Sequence, residues 1–270
     1  MQITSPFGYG PIVPLEKQHR VLLPSLTAGS VPAFAARINA MAISYSEFAT
    51  VQRDYPIVFL SADEGRSFAP VAVLGLADGQ NLFVEDDGRW AANHYVPAFV
   101  RRFPFCASRV NVDGVEQEQR LVCVDRAYLD DGGIELYDQS GAPTAVWAER
   151  ERLLAEYESD LERTAQMCAY LKKLDLFVPM TMEVKDAGQT GLRMQGMHCI
   201  DETRLVAQNA ASHKAMATRG LAARIYAHLF SLSAFARLVE RAQARQTAVR
   251  SGTSARDEAG TTNPTQSRRK

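Results

Sequence analysis

From Pro143 to Pro179 the hydrophobic residues recur at steps of three and four, and this run constrains the fold more than any other part of the chain. The apolar positions are Val146, Leu153, Leu154, Tyr157, Leu161, Ala165, Cys168, Tyr170, Leu171 and Leu174. Such spacing places one apolar stripe along a helix and leaves charged residues on the other side. We therefore predict a long amphipathic helix, whose stripe the rest of the protein must cover.

The chain before this helix carries the shorter patterns that are typical of β-strands. The runs "IVFL" and "PVAVLGL" are separated by a polar segment with a glycine, and the "DDG" of "NLFVEDDGRW" is a strong turn signal. We predict an antiparallel meander over residues 56–95, preceded by a short helix at Tyr45–Arg53. A second pair of strands is expected at "RLVCVD" and "IELYD".

Beyond the long helix, "TMEVKDAGQTGLRMQGMHCID" predicts a hairpin, and two helices follow, the first capped by Asp201 and the second continuous over "GLAARIYAHLFSLSAFARLVERAQ". The predicted fold class is α+β, with an N-terminal antiparallel β-meander region at residues 30–142 packed with a helix-rich C-terminal region at residues 143–246. We expect residues 1–246 to form a single domain. Residues 247–270, poor in large apolar side chains, are expected to be a disordered tail.

Composition and charge exclude several classes of protein. Of the 270 residues, 46% are hydrophobic and 23% charged, the balance of a soluble globular protein. The first 240 residues hold 23 basic and 29 acidic side chains, so nucleic-acid binding is not expected. No apolar run reaches the roughly 18 to 20 residues that span a bilayer, and no signal peptide is recognisable, so we predict a cytoplasmic protein without a membrane span.

Few residues are arranged as catalytic or metal-binding motifs. The four cysteines form no close pair in the sequence, and we expect buried free thiols. The nearest approach to a metal-binding set is His198 with Asp201 and Glu202, where Asp201 is better explained as a helix cap, and His228 is interpreted as a core histidine. The chain lacks GxSxG, SxxK, GxGxxG and GxxxxGK[ST]. We therefore expect no metal and no cofactor.

One stretch, "GRWAANHYVPAFVRRFPF" at residues 88–105, concentrates aromatic and basic side chains and allows two interpretations. As core, it would form a short helix near Pro97 with Tyr95, Phe99 and Phe103 on one face. As a site, it would form a concave surface that holds a carboxylate, phosphate or acidic sugar on its arginines and a carbohydrate ring on its aromatic faces. The candidate ligand-binding residues are Asn81, Arg89, Trp90, His94, Tyr95, Arg101 and Arg102.

Six blocks, in this order, resemble the bacterial SapC protein family: "EFATVQRDYPIVF", "LGLADGQNLFVEDDGRW", "YVPAFVRRFPF", "LYDQSGAPT", "GMHCIDETRL" and "IYAHLFSLSAFARL". The resemblance covers residues 7–240. Recurrent family features stand at Tyr55 and Pro56 and at residues 79–81, 88–90 and 95–105. The resemblance implies an association with bacterial surface-layer loci and supplies no catalytic residues. The lack of a membrane-spanning run separates this chain from the unrelated peptide-transport permease of the same name.

These observations favour an accessory or ligand-binding protein with a small anionic or carbohydrate ligand, or with a protein partner or a second copy of itself. The alternative is an enzyme that acts on a small anionic or sugar-like metabolite, with its site around Asn81, Arg89, Trp90, His94 and Arg101. A structural lattice subunit fits poorly, because such a chain would be exported and dominated by strands.

Overall fold

The computed structural model describes residues 2–24, 29–112, 115–186 and 189–259. Within them the strands are β1 (Gln2–Ile3), β2 (Ile12–Pro14), β3 (Arg20–Val21), β4 (Ala40–Ala42), β5 (Ile57–Leu60), β6 (Ala69–Val73), β7 (Phe105–Val112), β8 (Val115–Asp125), β9 (Ile134–Glu135), β10 (Phe177–Asp186) and β11 (Gln189–Ile200). The helices are α1 (Phe48–Val51), α2 (Ala98–Arg101), α3 (Ala145–Lys173), α4 (Glu202–Val206), α5 (Ala210–Thr218), α6 (Leu221–Ser231) and α7 (Ala234–Ala259). Antiparallel strands dominate the N-terminal half and helices the C-terminal half, so the α+β prediction is confirmed.

The larger sheet joins the two halves of the chain. Its strand order is β10-β11-β5-β6-β4. The predicted hairpin of β5 and β6 is confirmed, with Ile57 opposite Ala72. The predicted meander is wrong beyond β6, because residues 74–95 form no further strand and contain only isolated bridges such as that of Val84 with Trp90. The predicted hairpin of β10 and β11 is also confirmed, and β11 pairs with β5 where His198 lies opposite Phe59. The helix-rich region therefore contributes two strands to the sheet of the N-terminal region.

The smaller sheet has the order β1-β7-β8-β2, and its centre is the hairpin of β7 and β8. The expected pairing of "RLVCVD" with "IELYD" is wrong, because β8 pairs with β7, and β9 pairs with β3 in a separate two-stranded sheet. The β7 segment "FCASRVNV" contains polar residues that hide its strand character in the sequence. Its Cys106 lies directly opposite Cys123, and both are free, buried thiols.

Helix α3 runs through both hydrophobic cores, which confirms the predicted amphipathic helix. Trp147 and Leu154 belong to a core formed with β3, β7, β8 and Leu136. Further along, Met167 and Leu171 belong to the main core around the larger sheet. Helix α3 begins at the Thr144 cap, whose hydroxyl accepts a hydrogen bond from the backbone N–H of Trp147 at 3.4 Å.

The last helical segment is broken where the sequence predicts continuity. Helix α6 ends at Ser231 and α7 begins at Ala234. The hydroxyls of Ser231 and Ser233 donate to the carbonyls of His228 and Phe230, at 2.6 and 2.8 Å, and such bonds compete with the helical ladder. The predicted Asp201 cap is confirmed, since its carboxylate accepts from the backbone N–H groups of Thr203 and Arg204.

Helix α7 passes Gln246, where the sequence places the end of the folded region, and continues to Ala259. Alanine and arginine, which recur beyond Gln246, are good helix formers. Residues 260–270 lie outside the described residues, and disorder in the tail stays a prediction.

We expect residues 1–246 to unfold as one unit, because the sheet and α3 join both halves. The protein provides two probes, since Trp90 belongs to the main core and Trp147 to the smaller one. In a Trp90→Phe variant, the fluorescence of Trp147 and the helical circular dichroism signal should change at the same urea concentration. Two separate midpoints would show that the two cores unfold independently.

His228 is a core residue, as the sequence predicts. It is fully buried between α6 and the larger sheet, with its ring against Phe59 at a centroid distance of 5.1 Å. Its Nε2 accepts from the backbone N–H of Ile200 at 3.1 Å, so Nδ1 carries the proton and donates to the Ile57 carbonyl at 2.7 Å. Burial lowers the pKa of His228 to about 4.

The folded protein should therefore lose stability as the pH falls through the range between the unfolded pKa of His228 and its depressed folded value. Near pH 5 the unfolded chain binds a proton at this histidine and the folded chain does not. The free energy of unfolding at pH 5 should therefore be about 2 kcal/mol lower than at pH 7.5. Urea unfolding at pH 7.5 and pH 5 measures this loss. The loss should be smaller by about that amount in a His228→Gln variant. Equal losses in both proteins would contradict the assignment.

Candidate functional site

The structure divides the seven predicted site residues among separate networks. Trp90 is buried, and its indole N–H donates to the Tyr55 hydroxyl at 2.9 Å. His94 lies beside the same cluster, with its ring 5.1 Å from that of Phe83 and its Nδ1 2.9 Å from the Ala92 carbonyl. Trp90 therefore belongs to the main core, and the partly exposed His94 packs against the same aromatic cluster.

Asn81 is buried and joins its own loop to the short helical turn at Ala33–Arg37. Its amide donates to the Ala35 carbonyl at 2.7 Å, and its side-chain oxygen accepts from the backbone N–H of Phe83 at 2.8 Å. The same loop is held from outside by α7, where Arg241 donates to the Leu82 carbonyl and Arg245 donates to the carbonyls of Asn81 and Val84. The conspicuous "NLFVEDDG" segment is therefore the docking surface of the chain's own last helix.

Arg89 lies on the surface with its side chain 62% exposed. Its Nε donates to the Asp87 carboxylate two residues away at 2.7 Å. This local pair lowers the pKa of Asp87 and raises that of Arg89. Neither residue contacts the Trp90 cluster through a side-chain hydrogen bond in the described part of the chain.

Tyr95 and Arg101 are brought together over a buried carboxylate. The Tyr95 hydroxyl donates to Glu47 Oε1 at 3.1 Å and accepts from Arg101 Nη2 at 2.8 Å. Burial, reinforced by the Glu47 charge, raises the pKa of Tyr95. Glu47 also accepts from the backbone N–H of Ala98 at 2.7 Å, which fixes the start of the predicted short helix.

Arg102, the neighbour of Arg101, is buried in a different network. Its guanidinium lies 4.8 Å from the Phe99 ring centroid and 4.7 Å from that of Tyr157. It faces the Glu158 carboxylate at 3.6 Å, and Arg120 contacts the same carboxylate. The two adjacent arginines thus serve separate networks, and the seven residues as a ligand site stay a prediction.

The structure shows a second concentration of arginine that the sequence does not reveal. A cavity of about 450 Å³ lies where α3 meets the turn at residues 44–47 and the corner between α5 and α6. We call it the Arg–Tyr cavity; its lining residues are Tyr45, Arg163, Gln166, Met167, Tyr170, Arg219 and Leu221. Arg163, Gln166 and Tyr170 follow one another at steps of three and four on α3, so they share one face of that helix.

Tyr45 organises the wall of the Arg–Tyr cavity. Two guanidinium groups contact its ring, that of Arg163 at 4.3 Å from the centroid and that of Arg224, which does not line the cavity, at 4.0 Å. Its hydroxyl donates to the Arg219 carbonyl at 2.8 Å, and its backbone N–H donates to the Thr164 hydroxyl at 2.8 Å. Both cations are attracted to the ring, and they repel each other.

The positive charge at this cavity is only partly neutralised. Arg163 pairs with Asp160 at 3.1 Å. Arg224 donates to the backbone carbonyls of Tyr45 and Gly220, each at 3.3 Å. Arg219 lies 4.8 Å above the Tyr170 ring. Within the described residues, no carboxylate lies within 4.0 Å of the guanidinium of either Arg219 or Arg224.

A second cavity, of about 370 Å³, is lined by Gln18, His19, Arg20, Leu129, Asp130 and Asp131. Its cation is already neutralised, because Arg20 pairs with Glu135 at 3.1 Å and donates to the Gly133 carbonyl. The Arg–Tyr cavity is therefore the stronger candidate for a ligand.

The fold and the cavity define an α+β protein with a cationic pocket. The SapC family model matches residues 16–238, so this chain belongs to the SapC family. No curated protein and no solved structure matches the chain. In the part of the chain that the structure describes, no group of three His, Cys, Asp or Glu side chains could hold a metal ion, and no helix is long and apolar enough to cross a bilayer.

We expect Asn81 and Arg89 to respond differently to truncation. An Asn81→Ala change leaves the Ala35 carbonyl and the Phe83 N–H unpaired in the core, and should lower the free energy of unfolding by about 2 kcal/mol. An Arg89→Ala change removes only a local surface pair and should leave the urea midpoint unchanged. Equal midpoints for both variants would contradict the buried role of Asn81.

Proposed function

We propose that this SapC-family protein is a cytoplasmic accessory protein that binds a small anionic ligand in the Arg–Tyr cavity. The observation that carries the proposal is the Arg219 guanidinium, which lines the cavity beside Arg163 and has no carboxylate within 4.0 Å among the described residues, whereas Arg163 pairs with Asp160. Guanidinium groups hold carboxylates and phosphates through paired hydrogen bonds.

The size and lining of the cavity support a small molecule. A volume of about 450 Å³ lies within the range of small-molecule sites, roughly 300–1,000 Å³. Gln166 adds an amide donor and acceptor, while Met167 and Leu221 add buried apolar surface. An anionic group with a compact organic body would use all of these features.

Binding is favoured over catalysis by the chemistry of the lining. General acid–base catalysis needs a group that titrates near neutral pH, such as histidine or a perturbed carboxyl group. The residues that line the Arg–Tyr cavity are arginine, tyrosine, glutamine and apolar residues. They can bind and orient an anion, and none of them is a histidine or a carboxyl group.

The cellular role that we propose is an accessory one in surface-layer or envelope biology. Its support is the association that the family resemblance implies. The cytoplasmic location is supported by the cysteines, which are free thiols even where Cys106 and Cys123 lie opposite each other. Ligand binding would then act on a protein partner of this protein or on a second copy of it.

Thermal unfolding in the presence of small carboxylates, phosphates and acidic sugars tests the proposal. An anion at about a hundredfold excess over its dissociation constant should raise the melting temperature by roughly 5–10 °C. An Arg219→Gln variant should lose most of this shift, because its side chain lines the cavity without a carboxylate partner in the described residues.

The matched control is Arg152→Gln, which removes the same charge from an exposed position of α3 that pairs with Glu156. It should keep the full shift. A shift that is lost in Arg89→Gln or Arg101→Gln instead would place the site in the 88–105 stretch. No shift with any anion would contradict ligand binding and direct attention to a protein partner.

A further inference from the structure

We propose that the ligand of the Arg–Tyr cavity is a monocarboxylate with an apolar body, an inference that rests on the proposed function. The lining residues differ in burial, and this difference divides the cavity into a floor and a rim. The floor consists of buried residues, which are Tyr45, Met167 and Leu221. The rim consists of exposed residues, which are Arg163, Gln166 and Arg219. A molecule with one charged end and one apolar end fits this division.

The two arginines of the rim leave one positive charge unpaired. Arg163 pairs with Asp160 at 3.1 Å. The Arg219 guanidinium has no carboxylate within 4.0 Å in the described part of the chain. Neither Arg224 nor the buried Glu47 lines the cavity, and their charges have opposite signs. One negative charge on the ligand therefore suffices to neutralise the rim.

Arg219 presents the donors that a carboxylate accepts. Its guanidinium lies 4.8 Å from the centroid of the Tyr170 ring, and this contact holds the side chain at the rim. Its five N–H donors form no hydrogen bond within the described chain. A carboxylate can accept two of these donors side by side. Arg219 is thus the anchor for the charged end of the ligand.

A second negative charge on the ligand would meet carboxylates rather than arginines. Asp160 lies one turn before Arg163 on α3, and its carboxylate already accepts from Arg163 and from the backbone N–H of Ser46. Glu47 belongs to the same turn as Ser46, and its carboxylate accepts from the backbone N–H of Ala98. Both carboxylates are buried, so solvent screens their charges weakly. Their repulsion opposes a dianion and favours a monoanion.

The floor of the cavity favours an apolar body on the carboxylate. Met167 and Leu221 belong to the main hydrophobic core, and the Tyr45 ring stands beside them. Contact with this surface removes apolar area of the ligand from water, and the gain in affinity rises with the buried area. The affinity of carboxylates should therefore rise with the size of the apolar body until the cavity of about 450 Å³ is filled.

Four small molecules separate the charge of the ligand from its body. Benzoate is a monoanion with an apolar ring, benzamide is its neutral counterpart, and acetate is a carboxylate without the ring. Phenyl phosphate carries the same ring and is close to a dianion at pH 7.5. Titration calorimetry at constant ionic strength should give benzoate an affinity at least about tenfold above benzamide and acetate, and no lower than that of phenyl phosphate.

The possible failures of this series have different meanings. Tighter binding of phenyl phosphate would overturn the inference of a monoanion, and equal affinities for benzoate and benzamide would overturn the role of charge. Equal affinities for benzoate and acetate would overturn the apolar body. A cavity that binds other anions but not benzoate would overturn the whole inference and leave the proposed function intact. The proposed function itself fails only where no anion binds, here or in thermal unfolding.

The Arg219→Gln variant tests the anchor. It should lower the affinity for benzoate at least about tenfold and leave that for benzamide unchanged, because only the carboxylate uses the Arg219 donors. Arg152→Gln, the matched control, should change neither affinity. Arg219 is exposed at the end of α5, so its replacement should leave the protein folded. Full benzoate affinity in Arg219→Gln, or an equal loss for both ligands, would overturn the assignment of Arg219.

Discussion

The structure depends on one polar junction, where the turn at residues 44–47 meets α3. The Asp160 carboxylate on α3 accepts from the backbone N–H and the hydroxyl of Ser46, and Glu47 closes a capping box with Ser44. Both carboxylates are buried, and such groups are tolerated only when their oxygens are hydrogen-bonded. These hydrogen bonds hold the turn against α3 and thereby set the position of Tyr45.

Two regions that look unrelated in sequence depend on this junction. On one side, Tyr45 forms a wall of the Arg–Tyr cavity, and its ring contacts the guanidinium groups of Arg163 and Arg224. On the other side, Glu47 holds Tyr95 and the start of α2, which belong to the aromatic 88–105 stretch. Tyr45, which lines the cavity, and Glu47, which anchors the 88–105 stretch, are thus two positions apart, and a change in the turn would alter both regions.

The sequence predicts those helices and hairpins that are determined by residues close together in the chain. The step of three and four in α3 and the two hairpins come from patterns within about 30 residues, and they are confirmed. The partner of β8 was mispredicted because the polar residues of β7 hide a strand. The Arg–Tyr cavity was missed because Tyr45, Arg163 and Arg219 lie far apart in the chain and each one alone is an ordinary surface-type residue. The burial in the 88–105 stretch is equally hard to predict, since Trp90 and Arg102 carry polar groups and are nevertheless buried in separate packing networks.

The insertion of β11 beside β5 has a consequence for synthesis on the ribosome. Strand β5 ends at Leu60, but its neighbour in the sheet, around Met197 and His198, is made nearly 140 residues later. Until then the hydrogen-bonding edge of β5 has no native partner, and an unpaired edge of apolar residues can pair with other chains. Long-range pairing of this kind slows folding, so the nascent protein is exposed to aggregation until its C-terminal half emerges.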